Sequence, residues 1–167
     1  MNLVLGIDPG STESAYCLVD HGFRITEAEK VPNPRLTAML WTWRGLDVAV
    51  ESIQSYGMVV GRSVFDTCFM IGRVQEICST LRMPCTLYPR PEYTRRICGV
   101  GKVNDAVLRQ ALLLRFGGDK KGEPLFALKG CTDKRSAFAV AAYHIDITAH
   151  ERGIHERTSC EAAAQGS

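Results

Sequence analysis

Five apolar or alternating segments of this chain have the composition and length of β-strands. They cover residues 2–7, 13–19, 23–29, 45–51 and 84–88. The first three follow one another closely, and Asp20-His21-Gly22 between the second and third is a tight-turn signal. This order predicts an antiparallel meander of three strands, followed by two strands that alternate with helices.

Longer segments with apolar residues at helical spacing predict the helices. They cover residues 35–43, 62–81 and 106–116, and a last helix begins near Thr132. The helix over 62–81 carries an apolar band that is wider than packing on one sheet requires. That band is either intramolecular core or, in part, the contact with a second copy of the chain. Strands that alternate with helices indicate the α/β class.

Composition is that of a globular protein with one domain. The chain has 167 residues, 46% of them hydrophobic, and a formal net charge of +2. We expect a single domain over 1–151 and a polar, flexible tail over 152–167, and no apolar run is long enough to span a membrane. The seven cysteines form no C-x-x-C pair and no signal peptide precedes them, so we expect reduced thiols in a cytoplasmic protein.

Basic residues are concentrated in one part of the chain. Between residues 90 and 121 there are eight basic residues and three acidic ones. A solvated helix face also carries charge, but such an excess favours a surface that contacts phosphate groups. Lys102 follows the flexible Gly99-Val100-Gly101 loop. The candidate DNA contacts in this stretch are Arg95, Arg96, Lys102 and Arg109.

Three carboxylates lie at strand ends or at a helix start, where catalytic and metal-binding residues are often found. Asp8 and Glu51 each end an apolar strand, and Asp133 begins the last helix, three residues before Ser136. Taken singly, Asp8 is a turn cap or a metal ligand, Glu51 a surface residue or a ligand, and Asp133 a helix cap or a ligand. If the two strands are neighbours and the last helix packs on them, the three acids meet. Ligands made only of oxygen imply Mg²⁺ or Mn²⁺, which suits phosphodiester cleavage.

Four segments in this order and spacing resemble a known family. LGIDPGST, VAVES, YPRPEYTRRICGVGK and TDKRSAFAVAA are similar to segments of the RuvC-type Holliday junction resolvases of the ribonuclease H-like superfamily. The short chain and the segment SYGMVVGRSVFDT look closest to phage-encoded members, which would place the protein in a bacterial host's cytoplasm. The resemblance covers roughly residues 2–150. It implies a mixed five-stranded sheet, with a three-strand antiparallel meander and two parallel strands, flanked by helices.

The same resemblance implies an activity and its residues. It implies a homodimer that binds four-way or branched DNA and nicks two strands symmetrically, and the apolar band leads us to expect that the helix 62–81 forms the dimer contact. Carried over by position, Asp8, Glu51 and Asp133 match the family's catalytic, metal-binding acids, with two Mg²⁺ per site and Mn²⁺ as a substitute. The loop after Glu51 matches the place where a residue enters the junction centre, and the candidates there are Gln54, Tyr56 and Met58. Lys102 lies in the segment that supplies a basic DNA contact.

The chain departs from the family pattern at one position. The cellular family carries a second acid one turn after the first in the last helix, and here that position is Ser136. Ser136 can hold a metal-bound water but adds no charge, so three acids suffice, or Asp105 compensates, or metal affinity falls. A non-cleaving junction binder and a nuclease for structured RNA are therefore alternatives. An actin-like ATPase fragment shares the opening motif, but 167 residues cannot supply its second domain.

Overall fold

Five strands form one mixed sheet in the computed structural model of the protein, which describes residues 3–54, 57, 60–100 and 103–165, with side chains as far as 150. The strands are β1 (Leu3–Asp8), β2 (Glu13–Asp20), β3 (Ile25–Pro32), β4 (Asp47–Ser52) and β5 (Cys85–Pro89). The helices are α1 (Asn33–Thr42), α2 (Arg62–Thr80), α3 (Arg90–Cys98), α4 (Asp105–Phe116) and α5 (Thr132–Gln165). A short 3₁₀ helix covers Phe126–Leu128.

The sheet has the strand order β3-β2-β1-β4-β5. β1 pairs with β2, and β2 with β3, in antiparallel orientation, whereas β1–β4 and β4–β5 are parallel. The predicted fold is thereby confirmed: a three-strand meander is extended by two parallel strands, and helices flank the sheet. β1 lies at the centre, between the meander and the parallel pair.

Alternating side chains of the strands divide the core between the two faces of the sheet. On one face, Leu5 and Ile7 are fully buried in a cluster that includes apolar residues of α1 and α2. On the other face, Val4 and Ala49 belong to a cluster with α3, α4 and α5. Residues 137–142 of α5 are all 0% exposed, and all of them except Phe138 are alanine or valine, which allows the helix to lie close to the sheet.

One glycine sets the distance between α5 and the central strand. A Cβ atom placed on Gly6 would lie 1.9 Å from the carbonyl oxygen of Ala137 and 2.8 Å from Cβ of Ala141. The α5 backbone therefore occupies the space that any other side chain at position 6 would need. This close approach fixes the height of the first turn of α5 above the end of β1.

The sequence analysis predicts no helix over residues 90–98, where α3 is found. Pro89 precedes α3 and Pro91 lies in its first turn, where proline's missing N–H leaves no hydrogen bond unmade. Gly99 then ends the helix in the left-handed conformation, with φ of 69°. The two prolines mark the end of β5 and also the start of α3. The sequence pattern predicted the strand end but not the helix.

The last helix is longer than expected. Along the backbone, α5 continues past residue 151 to Gln165, whereas the sequence analysis places a polar tail over 152–167. The flexibility of that tail stays a prediction. Among the described residues, no helix combines the length and the apolar character needed to cross a bilayer.

The substitution Gly6→Ala tests the packing of α5 on β1. The added methyl group would collide with the α5 backbone, so we expect it to lower the free energy of unfolding by about 1–3 kcal/mol. Gly61→Ala is the control, because a Cβ there meets nothing within 4 Å and the residue only precedes α2. It should change stability by less than about 1 kcal/mol. Urea unfolding of both variants, each at two protein concentrations, gives the comparison, and equal effects would contradict the packing argument.

Candidate active site

The parallel pairing of β1 and β4 brings Asp8 and Glu51 to the same edge of the sheet. Ile7 pairs with Val50, so the residues that follow them, Asp8 and Glu51, lie at the same level near the ends of the two strands. The period of two also places Asp8 on the face of Gly6, and Glu51 on the face of Ala49, which is the face that α5 covers. Two acids from distant parts of the chain therefore lie side by side beneath α5.

The first turn of α5 adds Asp133 and Ser136 to this edge. Ser136 is 1% exposed, and its hydroxyl group faces the Asp8 side chain and lowers the pKa of that carboxyl group. Asp133 is more open, with a side chain 41% exposed, and its Oδ2 lies 2.8 Å from Nζ of Lys30 on β3. The helix and the meander strand thus contribute an acid and a cation to the same region.

Burial and neighbouring charge make Asp8 an unusual acid. Desolvation, followed by the negative charges of Glu51 and then Asp133, raises the pKa of Asp8 to about 8. The Arg90 guanidinium and the hydrogen bond with Ser136 oppose this shift only in part. A carboxyl group with a pKa this high has too little positive charge nearby to stabilise its anion. A bound cation would supply that charge.

Glu51 is held by two donors from α3. The hydroxyl group of Tyr93, which is fully buried, donates to Glu51 Oε2 at 2.5 Å, and Nη1 of Arg90 lies 3.5 Å from the same oxygen. Burial raises the pKa of Glu51, and the hydrogen bonds from Tyr93 and Arg90 lower it in part. Both donors favour the charged carboxylate, so they orient Glu51 as an anion.

Sequence reasoning missed the place of Arg90 and Tyr93 in this site. Arg90 belongs to the basic stretch that was assigned to the DNA surface, yet its side chain turns toward the acids, and its Nη2 lies 2.6 Å from Asp105 Oδ1. The spacing of three between Arg90 and Tyr93 is the signal that could have found them, since residues three apart share one helix face. It is useful only once a helix over 90–98 is recognised.

The donor chemistry of this edge fits a hard divalent cation. The predicted ligands are carboxylate oxygens and one hydroxyl group, which is the set that Mg²⁺ and Mn²⁺ prefer. Burial and two like charges destabilise the anion of Asp8, as expected of a metal ligand whose cation is not bound. Among the side chains that the structure describes, no three acids, histidines or cysteines are already grouped as an ion cage. Asp133 is engaged with Lys30 and Glu51 with Arg90, so each faces a cation of the protein itself.

Comparison with known proteins identifies the architecture. No family model matches the chain, and no curated protein matches it either. Among solved structures, that of Thermus thermophilus RuvC superposes with a TM-score of 0.67 at 19% identity, covering 85% of this chain and 92% of that one. The fold is that of RuvC.

A second RuvC structure from the same organism gives the same result. T. thermophilus RuvC in complex with a Holliday junction substrate superposes with a TM-score of 0.66 and 19% identity, covering 86% of this chain and 93% of that one. At this level of identity the likeness to RuvC shows the fold. The roles of individual residues must therefore be argued from this chain's own geometry.

The predicted DNA contacts differ in their surroundings. Arg95 and Arg96 are exposed in the last turn of α3, whereas Arg109 on α4 pairs with Asp119 at 2.7 Å. Gln54 is exposed in the loop after β4. Lys102, Tyr56 and Met58 lie outside the described residues, and their predicted roles stay predictions.

The raised pKa of Asp8 predicts how stability depends on pH. The folded chain keeps a proton on Asp8 up to about pH 8, whereas an unfolded Asp releases it near about pH 4, so this group lowers stability as pH rises between those values. Without metal ions, Asp8→Asn should therefore be more stable than the wild type by about 1–3 kcal/mol at pH 8, and by little at pH 4.

Urea unfolding in EDTA at the two pH values measures this difference. Asp66→Asn is the control, because it removes an acid of α2 that pairs with Arg62. It should give no gain that grows with pH. A destabilised Asp8→Asn at pH 8 would contradict the proposed charge crowding.

Proposed function

We propose that this protein is a structure-selective endonuclease that binds four-way or branched DNA as a homodimer and nicks its phosphodiester bonds. The observation that carries the proposal is the gathering of Asp8, Glu51 and Asp133 at one edge of a RuvC-type sheet. The negative charges of Glu51 and Asp133 both raise the pKa of Asp8, so Asp8 lies within electrostatic reach of each of the other two acids. A RuvC of this fold has been solved with a Holliday junction substrate, which supports branched DNA as the partner. The proposed site of action is the cytoplasm of a bacterial host, for a phage-encoded protein.

The proposed cofactor is Mg²⁺, two ions per site, with Mn²⁺ able to substitute. Asp8, Glu51 and Asp133 would hold it, and Ser136 would contribute through a water molecule. Bound there, the cofactor would supply an activated water and stabilisation of the leaving 3′ oxygen in an in-line displacement.

The chain's own residues prepare this site. Tyr93 and Arg90 hold the Glu51 carboxylate in one orientation, and the buried Ser136 hydroxyl holds Asp8. Asp8 and Glu51 stand on strands rather than loops, which keeps their spacing constant. Asp133 is the most open of the three acids and pairs with Lys30, so it has the most freedom to change partner.

Exposed aromatic residues support α2 as the dimer contact. One side of α2 packs on the sheet through Met70, Ile71 and Val74. On the other side, Phe65 is 53% exposed and Phe69 is 69% exposed, one turn apart. Large apolar side chains grouped on an open helix face are typical of an interaction surface. The wide apolar band of the sequence is thus divided between the core and a surface that we assign to the second subunit.

Removal of charge from Asp8 tests the nuclease. Asp8→Asn should abolish nicking of a synthetic four-way junction in Mg²⁺ and leave binding of that junction intact, because the side chain keeps its volume and loses its charge. Asp66→Asn should cut at the wild-type rate. Gel assays of the junction, a linear duplex and a structured RNA, each with and without Mg²⁺, give the result.

The outcomes of this assay are distinct. Symmetric nicks in the junction support the proposal. Junction binding without nicks by the wild type would indicate a non-cleaving binder, and preferred cleavage of RNA would indicate a ribonuclease. Normal nicking by Asp8→Asn would contradict the proposed site.

The dimer contact is tested by a charge on α2. The wild type should have a mass near twice 18.4 kDa in light scattering, and Phe69→Glu should be a monomer, because the carboxylate would be buried unpaired in the contact. Phe126→Glu is the control, since Phe126 is also exposed, at 45%, but lies on the 3₁₀ helix. A monomeric wild type at micromolar concentration would contradict the assignment.

A further inference from the structure

Arg90 is the cation around which the candidate active site is arranged. Its Nη1 donates to Ser136 Oγ at 2.9 Å and lies 3.4 Å from the Tyr93 hydroxyl group and 3.5 Å from Glu51 Oε2. Its Nη2 donates to Asp105 Oδ1 at 2.6 Å. One guanidinium group therefore connects β4, α3, α4 and α5 at the edge where the acids meet.

The local sequence holds this side chain in place. Arg90 is the first residue of α3 and stands between Pro89 and Pro91, whose rings restrict the backbone on both sides. The Thr94 hydroxyl group donates to the carbonyl oxygen of Arg90 at 2.7 Å. The side chain is 32% exposed, so the guanidinium lies among the acids and still faces solvent on one side.

The partners of Arg90 differ in how readily they can be replaced. Ser136 is neutral and almost fully buried, and Glu51 is 16% exposed and also held by Tyr93. Asp105 is 58% exposed, and an ion pair with so exposed a partner contributes little to stability. An incoming anion could therefore take the place of Asp105 on Nη2 at small cost, while the contacts with Ser136 and Glu51 keep the guanidinium aimed at the site.

We propose that Arg90 binds a non-bridging oxygen of the phosphate that is to be cleaved, with Asp105 as its partner only when DNA is absent. This inference rests on the proposed nuclease function. A phosphodiester that approaches Asp8, Glu51 and Asp133 meets like charge. Within the described part of the chain, Lys30 pairs with Asp133 at this edge, and Arg90 is the cation that lies beside Glu51. A guanidinium offers two parallel N–H donors to a phosphate, and its charge would stabilise the further negative charge that develops during displacement.

Three variants separate this role from alternatives. Arg90→Gln removes the charge, Arg90→Lys keeps the charge but not the fork of donors, and Asp105→Asn removes the partner that phosphate would displace. Arg35→Gln is the control, because Arg35 on α1 forms an exposed ion pair with Glu29 on β3, at 3.0 Å. Circular dichroism establishes that each variant is folded before the other measurements.

Single-turnover nicking of a four-way junction is the first readout. Arg90→Gln should be slower than the wild type by at least about 100-fold, as when one donor to a developing charge is lost. Arg90→Lys should recover part of that loss. Arg35→Gln should stay within about threefold of the wild type, the range of context-dependent surface effects, and Asp105→Asn should not show the loss seen in Arg90→Gln.

Two readouts do not depend on catalysis. With Ca²⁺ in place of Mg²⁺, the slope of log affinity against log salt should fall by about one for Arg90→Gln, as for one lost phosphate contact. Calorimetric titration of the DNA-free protein with Ca²⁺ should show that Arg90→Gln binds the ion at least as tightly as the wild type, because a neighbouring positive charge has been removed. A residue that only supports Glu51 would instead weaken ion binding.

The results of these measurements decide separately on the role of Arg90, on the exchange of its partners and on the proposed function. Equal nicking by Arg90→Gln and the wild type, an unchanged salt slope, or a loss of nicking that parallels a loss of ion affinity would overturn the role of Arg90 and leave the nuclease proposal standing. A loss of nicking in Asp105→Asn as large as in Arg90→Gln would overturn the exchange of partners. A wild type that neither binds nor nicks the junction would overturn the proposed function, and this inference with it.

Discussion

The contact between α5 and Gly6 is the constraint on which the candidate site depends. The helix backbone lies where a side chain at position 6 would be, so α5 cannot move away or slide without opening the best-packed part of the core. The same contact places the first turn of α5 above the ends of β1 and β4. Asp133 and Ser136 are thereby brought to Asp8 and Glu51 by packing alone, without any attraction between the acids themselves.

Electrostatics opposes this gathering. Carboxylates that share a poorly hydrated edge disfavour one another's charge, which the raised pKa of Asp8 expresses. The chain compensates with cations from two other elements, Lys30 on β3 and Arg90 on α3. The core therefore forces together groups that would otherwise separate, and this stored repulsion is what a bound divalent ion would relieve. The proposed affinity for such an ion would then follow from the packing energy of the fold.

The fold and half of the site could be predicted from sequence because both depend on short-range patterns. The order of apolar segments indicated a three-strand meander and two further strands, and the resemblance to RuvC-type resolvases implied that they form one mixed sheet. A carboxylate after each of two apolar strands indicated Asp8 and Glu51. The surroundings of the acids could not be predicted in the same way. Arg90 lies in a polar stretch whose helix is stabilised by contacts made elsewhere, such as buried Tyr93 against the core, and Lys30 reaches Asp133 only through the sheet order. Such partners depend on tertiary structure, which leaves little trace in spacing or composition.

The strand at the middle of the sheet and the helix that covers it come from opposite ends of the chain. During synthesis, β1 leaves the ribosome first and must wait for more than a hundred residues before α5 can pack on it. Until then one face of the central strands has no cover, and the acid at the start of α5 has no site to join. A nascent or truncated chain is consequently incapable of assembling the full set of acids. If those acids cut DNA, the order of translation prevents an incomplete polypeptide from cutting it.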